Sequence, residues 1–133
     1  METNLPIDEI DIIHQKANAA FEKKDIALFM NHFANEMQYI NADATNYDRH
    51  ELVYQTEKYF KKTKNISTTY YRLKSAMDGE LFTEKIARKS IVFLKGLLFA
   101  KKQTIQTEEF FTWKKIADHW KIISVTVTLE EKY

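Results

Sequence analysis

The hydrophobic pattern of this chain changes period partway along, and that change limits its fold more than any other feature of the sequence. From Ile7 to about Lys62 apolar residues recur at three- and four-residue steps; from Ile66 onward they alternate or gather in β-branched and aromatic runs. Helices first and strands afterwards make an α+β chain, with helices covering one face of a mostly antiparallel sheet. In the first helix Ile10, Ile13, Ala17, Ala20 and Phe21 share a face, and Pro6 suits a first turn because no amide bond is lost there. Asp25 caps a shorter helix whose stripe is Ile26, Phe29, Met30 and Phe33. Met37, Tyr39 and Asn41 then share one face of a short strand, and residues 43–47 read as a loop. Asp48 followed by Glu51 is a capping box, opening a helix that buries Leu52, Val53, Thr56, Tyr59 and Phe60.

Strands are expected over 66–77, closed by the Asp78-Gly79 turn signal, then over 86–94, about 102–115, and 119–130. In the last, alternation sends Ile123, Val125, Val127 and Leu129 one way. Trp120, Ile122, Ser124, Thr126 and Thr128 go the other. The expected order is α-α-β-α-β-β-β-β.

At 133 residues the length suits one domain, 1–133, with neither a repeat nor a linker. Two glycines and one proline exclude collagen-like and low-complexity classes, and the absence of cysteine excludes disulfides, thiolate zinc sites and cysteine nucleophiles. A formal charge of +1 supplies no global field for nucleic acid or an anionic membrane, so neither is an expected partner. The acidic opening stretch METNLPIDEIDII lacks a basic and then apolar leader, and no long apolar run follows; a cytoplasmic location is expected.

The phrase from Ala19-Ala20-Phe21 through Asp25-Ile26, Phe29-Met30 and Phe33-Ala34 to Met37-Gln38-Tyr39 resembles the nuclear transport factor 2-like superfamily. So do the capped helix at Asp48 and the terminal hairpin, Glu108 to Trp113 then His119 to Ile123. The likeness runs from about Ile7 to Leu129 and is nearest the SnoaL-like and ketosteroid isomerase-like branch. It implies a curved sheet wrapped around the helices as a cone with a pocket at its open end, and a homodimer. The usual glycine is missing from the turn at Ile116-Ala117-Asp118. The fold serves isomerases, dehydratases, cyclases and association modules, so it does not choose a function.

Isomerase chemistry of that branch needs a carboxylate base and donors placed where enolate charge develops. Carried across, the tyrosine position falls on Ala17, the base on Asn41 and the second acid on Glu109, so two of three roles are empty. Glu109 shares a strand face with Phe111 and Trp113. It is either an acid or ligand anchor at or inside the pocket mouth, or a residue that pairs with a lysine or reaches solvent at the rim. His14 follows the first helix's buried row. It either pairs with a carboxylate inside the cone, as the dehydratase branch implies, or is a satisfied boundary residue. His32, His50 and His119 read as surface residues. No histidine spacing suits a metal, and with glycines only at 79 and 96 there is no phosphate loop, so neither metal nor cofactor is expected.

The expected pocket is apolar, lined by Ala17, Phe33, Tyr39, Asn41, Tyr54, Tyr59, Glu109, Phe111 and Trp113. A small apolar or aromatic ligand is the leading expectation. The alternatives are an isomerase-, dehydratase- or cyclase-type enzyme using Glu109 and His14, and a structural dimerisation domain with a plugged pocket. The expected dimer face carries Trp120, Ile122 and Thr126.

Overall fold

A computed structural model describes residues 5–133; the first four residues of the opening stretch, on which the leader argument partly rests, lie outside them. Pro6 precedes α1 (Ile7–Glu22), and its carbonyl accepts the helix's first hydrogen bond from Ile10 N at 3.0 Å. Asp25 caps α2 (Ile26–Met30) by accepting from Leu28 N at 3.1 Å. That helix stops short of Phe33, which begins β1 (Phe33–Ile40) instead of joining the helical stripe. The expected loop contains a two-residue strand, β2 (Asn46–Tyr47), paired with the end of β1. Asp48 then caps α3 (Arg49–Lys62), accepting from Glu51 N at 2.8 Å.

Four long strands follow: β3 (Thr63–Asp78), β4 (Leu81–Leu94), β5 (Lys101–Ile116) and β6 (His119–Lys132). They form one six-stranded sheet in the order β2-β1-β6-β5-β4-β3, antiparallel except where β1 lies parallel to β6. The chain is thus α+β with its helices in the N-terminal half, on the expected plan plus β2. The sheet is curved and unclosed. Register breaks between Arg72 and Lys74, between Glu108 and Glu109 and between Thr112 and Trp113 supply the bends that strands of 14 to 16 residues need to wrap a core. The glycine-free corner is made by Ala117 and Asp118, both left-handed at φ 49° and 66°.

One register break overturns the expected facing of β6. Thr112 pairs with Ser124 but Trp113 pairs with Ile122, so Ile123 is an extra residue and the side chains before it change face. Ile122 is 2% exposed in the main core, and Trp120 packs against that core while its Nε1 donates to Glu9 at 2.9 Å. Neither belongs to an outer dimer face. Thr126 keeps the expected direction, opposite Phe110.

The main core joins Ile10 of α1, Met30 of α2, Met37 of β1 and Leu52 of α3 to Phe82, Phe111, Trp113 and Val125 of the sheet. A smaller cluster of Phe60, Ile66 and Val92 lies where α3 meets the far ends of β3 and β4. Among the described residues no helix is long and apolar enough to cross a membrane.

Candidate functional site

Helix α1 presents Asp11, His14 and Asn18, spaced three and four apart and therefore on one face. The inner face of β4 presents Glu84, Ile86 and Arg88, alternate residues opposite Phe111, Glu109 and Thr107 of β5. Packing that helix face on that strand face creates two polar networks inside a largely apolar interior.

Glu84 is the centre of the first. It is 1% exposed, and its Oε2 accepts from His14 Nε2 at 2.7 Å and from Trp113 Nε1 at 2.6 Å. Arg72 adds two contacts to Oε1, from Nε and Nη2, both at 2.9 Å. Arg72 Nη2 also reaches Asp11 Oδ1 at 2.8 Å, and the Tyr70 hydroxyl donates to that oxygen at 2.7 Å. Burial alone would raise the Glu84 carboxyl. The bond and charge of His14, the charge of Arg72 and the Trp113 bond outweigh it and hold the group below the usual carboxylate range. Asp11 is held low in the same way, with Arg72 and Tyr70 overcoming its desolvation. Burial and the bond to Asp11 push the Tyr70 phenol up.

An ionised Glu84 can only accept, so His14 Nε2 carries a proton and donates it; whenever the ring is neutral, its lone pair is therefore on Nδ1. The ring is enclosed by Tyr70, Phe111 and Trp113, with centroids 4.6, 5.1 and 5.2 Å away. Such a pair can pass one proton between a bound molecule and Nδ1 while the carboxylate stabilises the resulting cation.

The second network lies one helical turn along. Arg88 Nε donates to both oxygens of Glu109, at 3.1 and 3.3 Å, and its Nη1 donates to Asn18 Oδ1 at 2.8 Å and Thr68 Oγ1 at 3.2 Å. The Thr107 hydroxyl donates to Glu109 at 2.5 Å and Ser90 to Thr68 at 3.0 Å. Burial, reinforced by the charge of Glu109, pushes the Tyr39 phenol up. Among the described residues no fully buried side-chain nitrogen or oxygen lacks a partner.

The expected site residues divide. Ala17, Phe33, Glu109, Phe111 and Trp113 are buried, and Tyr39, Asn41 and Tyr59 are half-buried. Tyr59 packs with Phe21 in the smaller cluster, away from Glu84. Tyr54, at 53% exposed, lies on the outer side of α3 beneath Lys58, which removes it from any interior lining. Glu109 pairs with Arg88 rather than with a lysine. His14 faces the interior and has its carboxylate. Two open depressions of about 520 and 470 Å³ lie outside, between β1 and the start of α3, around Asp48 and His50. None of the nine expected pocket residues lines either.

Glu84, Arg72, Arg88 and Asp11 were not among the expected site residues. A signal for Glu84 existed: in Phe82-Thr83-Glu84-Lys85-Ile86 it alternates with two buried apolar residues. Beginning that strand at Ile86 conceals it.

No protein-family model and no curated protein sequence matches the chain. Solved structures do. A nuclear transport factor 2-like superfamily protein from Salmonella enterica superposes with a TM-score of 0.79 over 90% of this chain and 87% of its own, at 14% identity. A ketosteroid isomerase-like protein from Erwinia carotovora atroseptica gives 0.74 over 94% and 96%, also at 14% identity. A type 2 hexachlorocyclohexane dehydrochlorinase gives 0.78 over 96% and 88%, at 6% identity. At these identities the likeness is one of backbone, and it agrees with the helix order, the long hairpins and the parallel β1–β6 contact: the chain has the nuclear transport factor 2-like fold.

Proposed function

We propose that the interior of the cone receives a small organic molecule and that His14, held by Glu84, exchanges a proton with it. The reaction class is proton abstraction next to an electron-withdrawing group, with isomerisation or elimination as its outcome. One observation carries this reading: a histidine 2% exposed and a carboxylate 1% exposed are joined at 2.7 Å, with the imidazole ring packed among Tyr70, Phe111 and Trp113. Apolar residues of similar volume stabilise a core as well as a buried ion network does or better, so stability alone does not call for one. Clusters of perturbed titratable groups concentrate at reactive sites. The dehydrochlorinase and the ketosteroid isomerase-like protein are named for reactions of this class. Tyr70 and Phe111, which flank the ring, are the side chains that must shift to seat a ligand.

A second reading, binding without turnover, is favoured by Ala17 and Asn41, which supply neither the phenol nor the carboxylate of the isomerase pattern. One experiment separates the two. The protein is incubated in deuterated buffer with small enolisable ketones and with compounds carrying a β-leaving group, and exchange or elimination is followed by nuclear magnetic resonance. Turnover lost in His14→Gln, with ligand-induced thermal stabilisation retained, supports the enzyme. Stabilisation without turnover in the wild type supports the binding protein. Neither stabilisation nor turnover across the panel sinks both readings and favours a filled interior serving assembly.

A further inference from the structure

The connection between β4 and β5 carries three consecutive large apolar side chains with almost nothing around them. Leu97, Leu98 and Phe99 are 105%, 86% and 83% exposed. Solvated turns are ordinarily polar. The backbone holds this one sharply folded: a Cβ on Gly96 would lie 2.2 Å from the Phe99 carbonyl oxygen, so the side chains between are thrown outward.

Lysines surround the tip. Leu94 pairs with Lys101 and Phe93 with Lys102 at its base, and Lys95 N donates to the Lys62 carbonyl at 2.9 Å, bringing the end of α3 alongside. Lys61, Lys62, Lys64, Lys95, Lys101 and Lys102 thus gather from two distant stretches at one end of the molecule, all exposed. Read along the sequence they are separate pairs balanced by acids elsewhere; in the fold they are a single cluster. No acid lies between Glu57 and Asp78, or between Glu84 and Glu108. Glu131, on the neighbouring β6, sits opposite Gln106, further down the strand. None of the described ion pairs uses any of the six lysines. A net charge of +1 conceals a basic end with an apolar point.

We propose that this end docks on an anionic lipid bilayer, with Leu97, Leu98 and Phe99 entering the boundary between headgroups and acyl chains while the lysines meet the lipid anions. The combination decides the occupant. Apolar insertion and electrostatic attraction together give reversible membrane binding where either alone is weak. Three side chains on one turn offer far less area than a stable protein interface needs. A second copy presenting the same end would bring like charges together.

Sedimentation with phosphatidylcholine vesicles, with and without a third of phosphatidylglycerol, tests the proposal on the full chain. Binding is expected to the mixed vesicles only, and to weaken as salt rises. Replacing Leu97, Leu98 and Phe99 together by serine should lower the vesicle-bound fraction roughly tenfold or more. Lys95→Glu with Lys101→Glu and Lys102→Glu should do the same, and because all six positions are exposed both variants should keep the wild-type melting temperature. Failure of the wild type to bind the anionic vesicles overturns the proposal, as does binding that survives the serine changes. A wild-type dimer in light scattering that the serine changes convert to monomer also overturns it, since a second copy then covers the tip.

Discussion

Glu84 and Glu109 are both buried carboxylates on the inner face of the sheet, one rung apart, and each is bonded by an arginine in a network that includes a residue of α1. What surrounds them differs. Glu84 takes bonds from three side chains, one of them a histidine with a second ring nitrogen. Glu109 is bonded by Arg88 and Thr107, and the α1 residue at that level, Asn18, accepts from the arginine instead of touching the acid. The lesson is that burying a carboxylate beside an arginine builds an anchor. On the proposed reading, it is the histidine standing where the other network has asparagine, one helical turn earlier, that gives the Glu84 network a group able to exchange a proton.

The largest test of this contrast is removal of each acid. Glu84→Ala strands His14, Arg72 and Trp113, and breaking a buried charged network from one side costs about 3–5 kcal/mol. Urea denaturation of the wild type and variant measures it, and a loss no greater than that for an exposed residue would show that Glu84 is not the hub. The same group predicts acid sensitivity. A carboxyl held below its ordinary value of 4.5 binds fewer protons folded than unfolded. Its stabilisation is therefore full above that value and disappears as pH falls through the lower, folded value. Glu84→Gln is expected to flatten the decline of stability in acid, and unchanged slopes in wild type and variant would remove the argument.

Glu109→Ala is expected to be milder, about 1–3 kcal/mol, because Arg88 keeps Asn18 and Thr68 and is partly open to water. If this loss equals that of Glu84→Ala, the two networks are equivalent and the distinction between anchor and reactive centre falls.

How legible this was from sequence differs between the fold and the site. Period and capping reach far: Asp25 and Asp48 start their helices, and four long strands follow in the expected order around the Asp78-Gly79 turn, although β4 begins at Leu81, five residues before the expected start. Alternation fails where a bulge resets it. The extra residue at Ile123 turns Ile122 and Trp120 inward, and no residue type in Lys121-Ile122-Ile123-Ser124 announces a bulge, because it answers to sheet curvature rather than to local preference. His14 is visible because the helical row that holds it is otherwise apolar. Its partner is 70 positions away, and Arg72 comes from yet another strand. A pairing assembled from three elements leaves no spacing in the chain: alternation with Phe82 and Ile86 marks Glu84 as inward-facing, but its partners emerge only once β4 is laid against α1.

The smallest effect bears most finely on the comparison. Asn18 and His14 occupy equivalent places on α1, one turn apart, but the Asn18 contribution is a single bond accepted from a partly buried arginine that has other partners. Asn18→Ala should therefore cost about 0.5–1.5 kcal/mol, the ordinary net value of one hydrogen bond. The change also opens space beside Arg88 without touching Glu84. Nitrogen-15 spectra of the ring should show the proton on Nε2 of His14 in both wild type and Asn18→Ala, because Glu84 alone sets it. Transfer of that proton to Nδ1 in the variant would mean that the networks are coupled through α1, and that the centre extends from Glu84 to Glu109 as one unit.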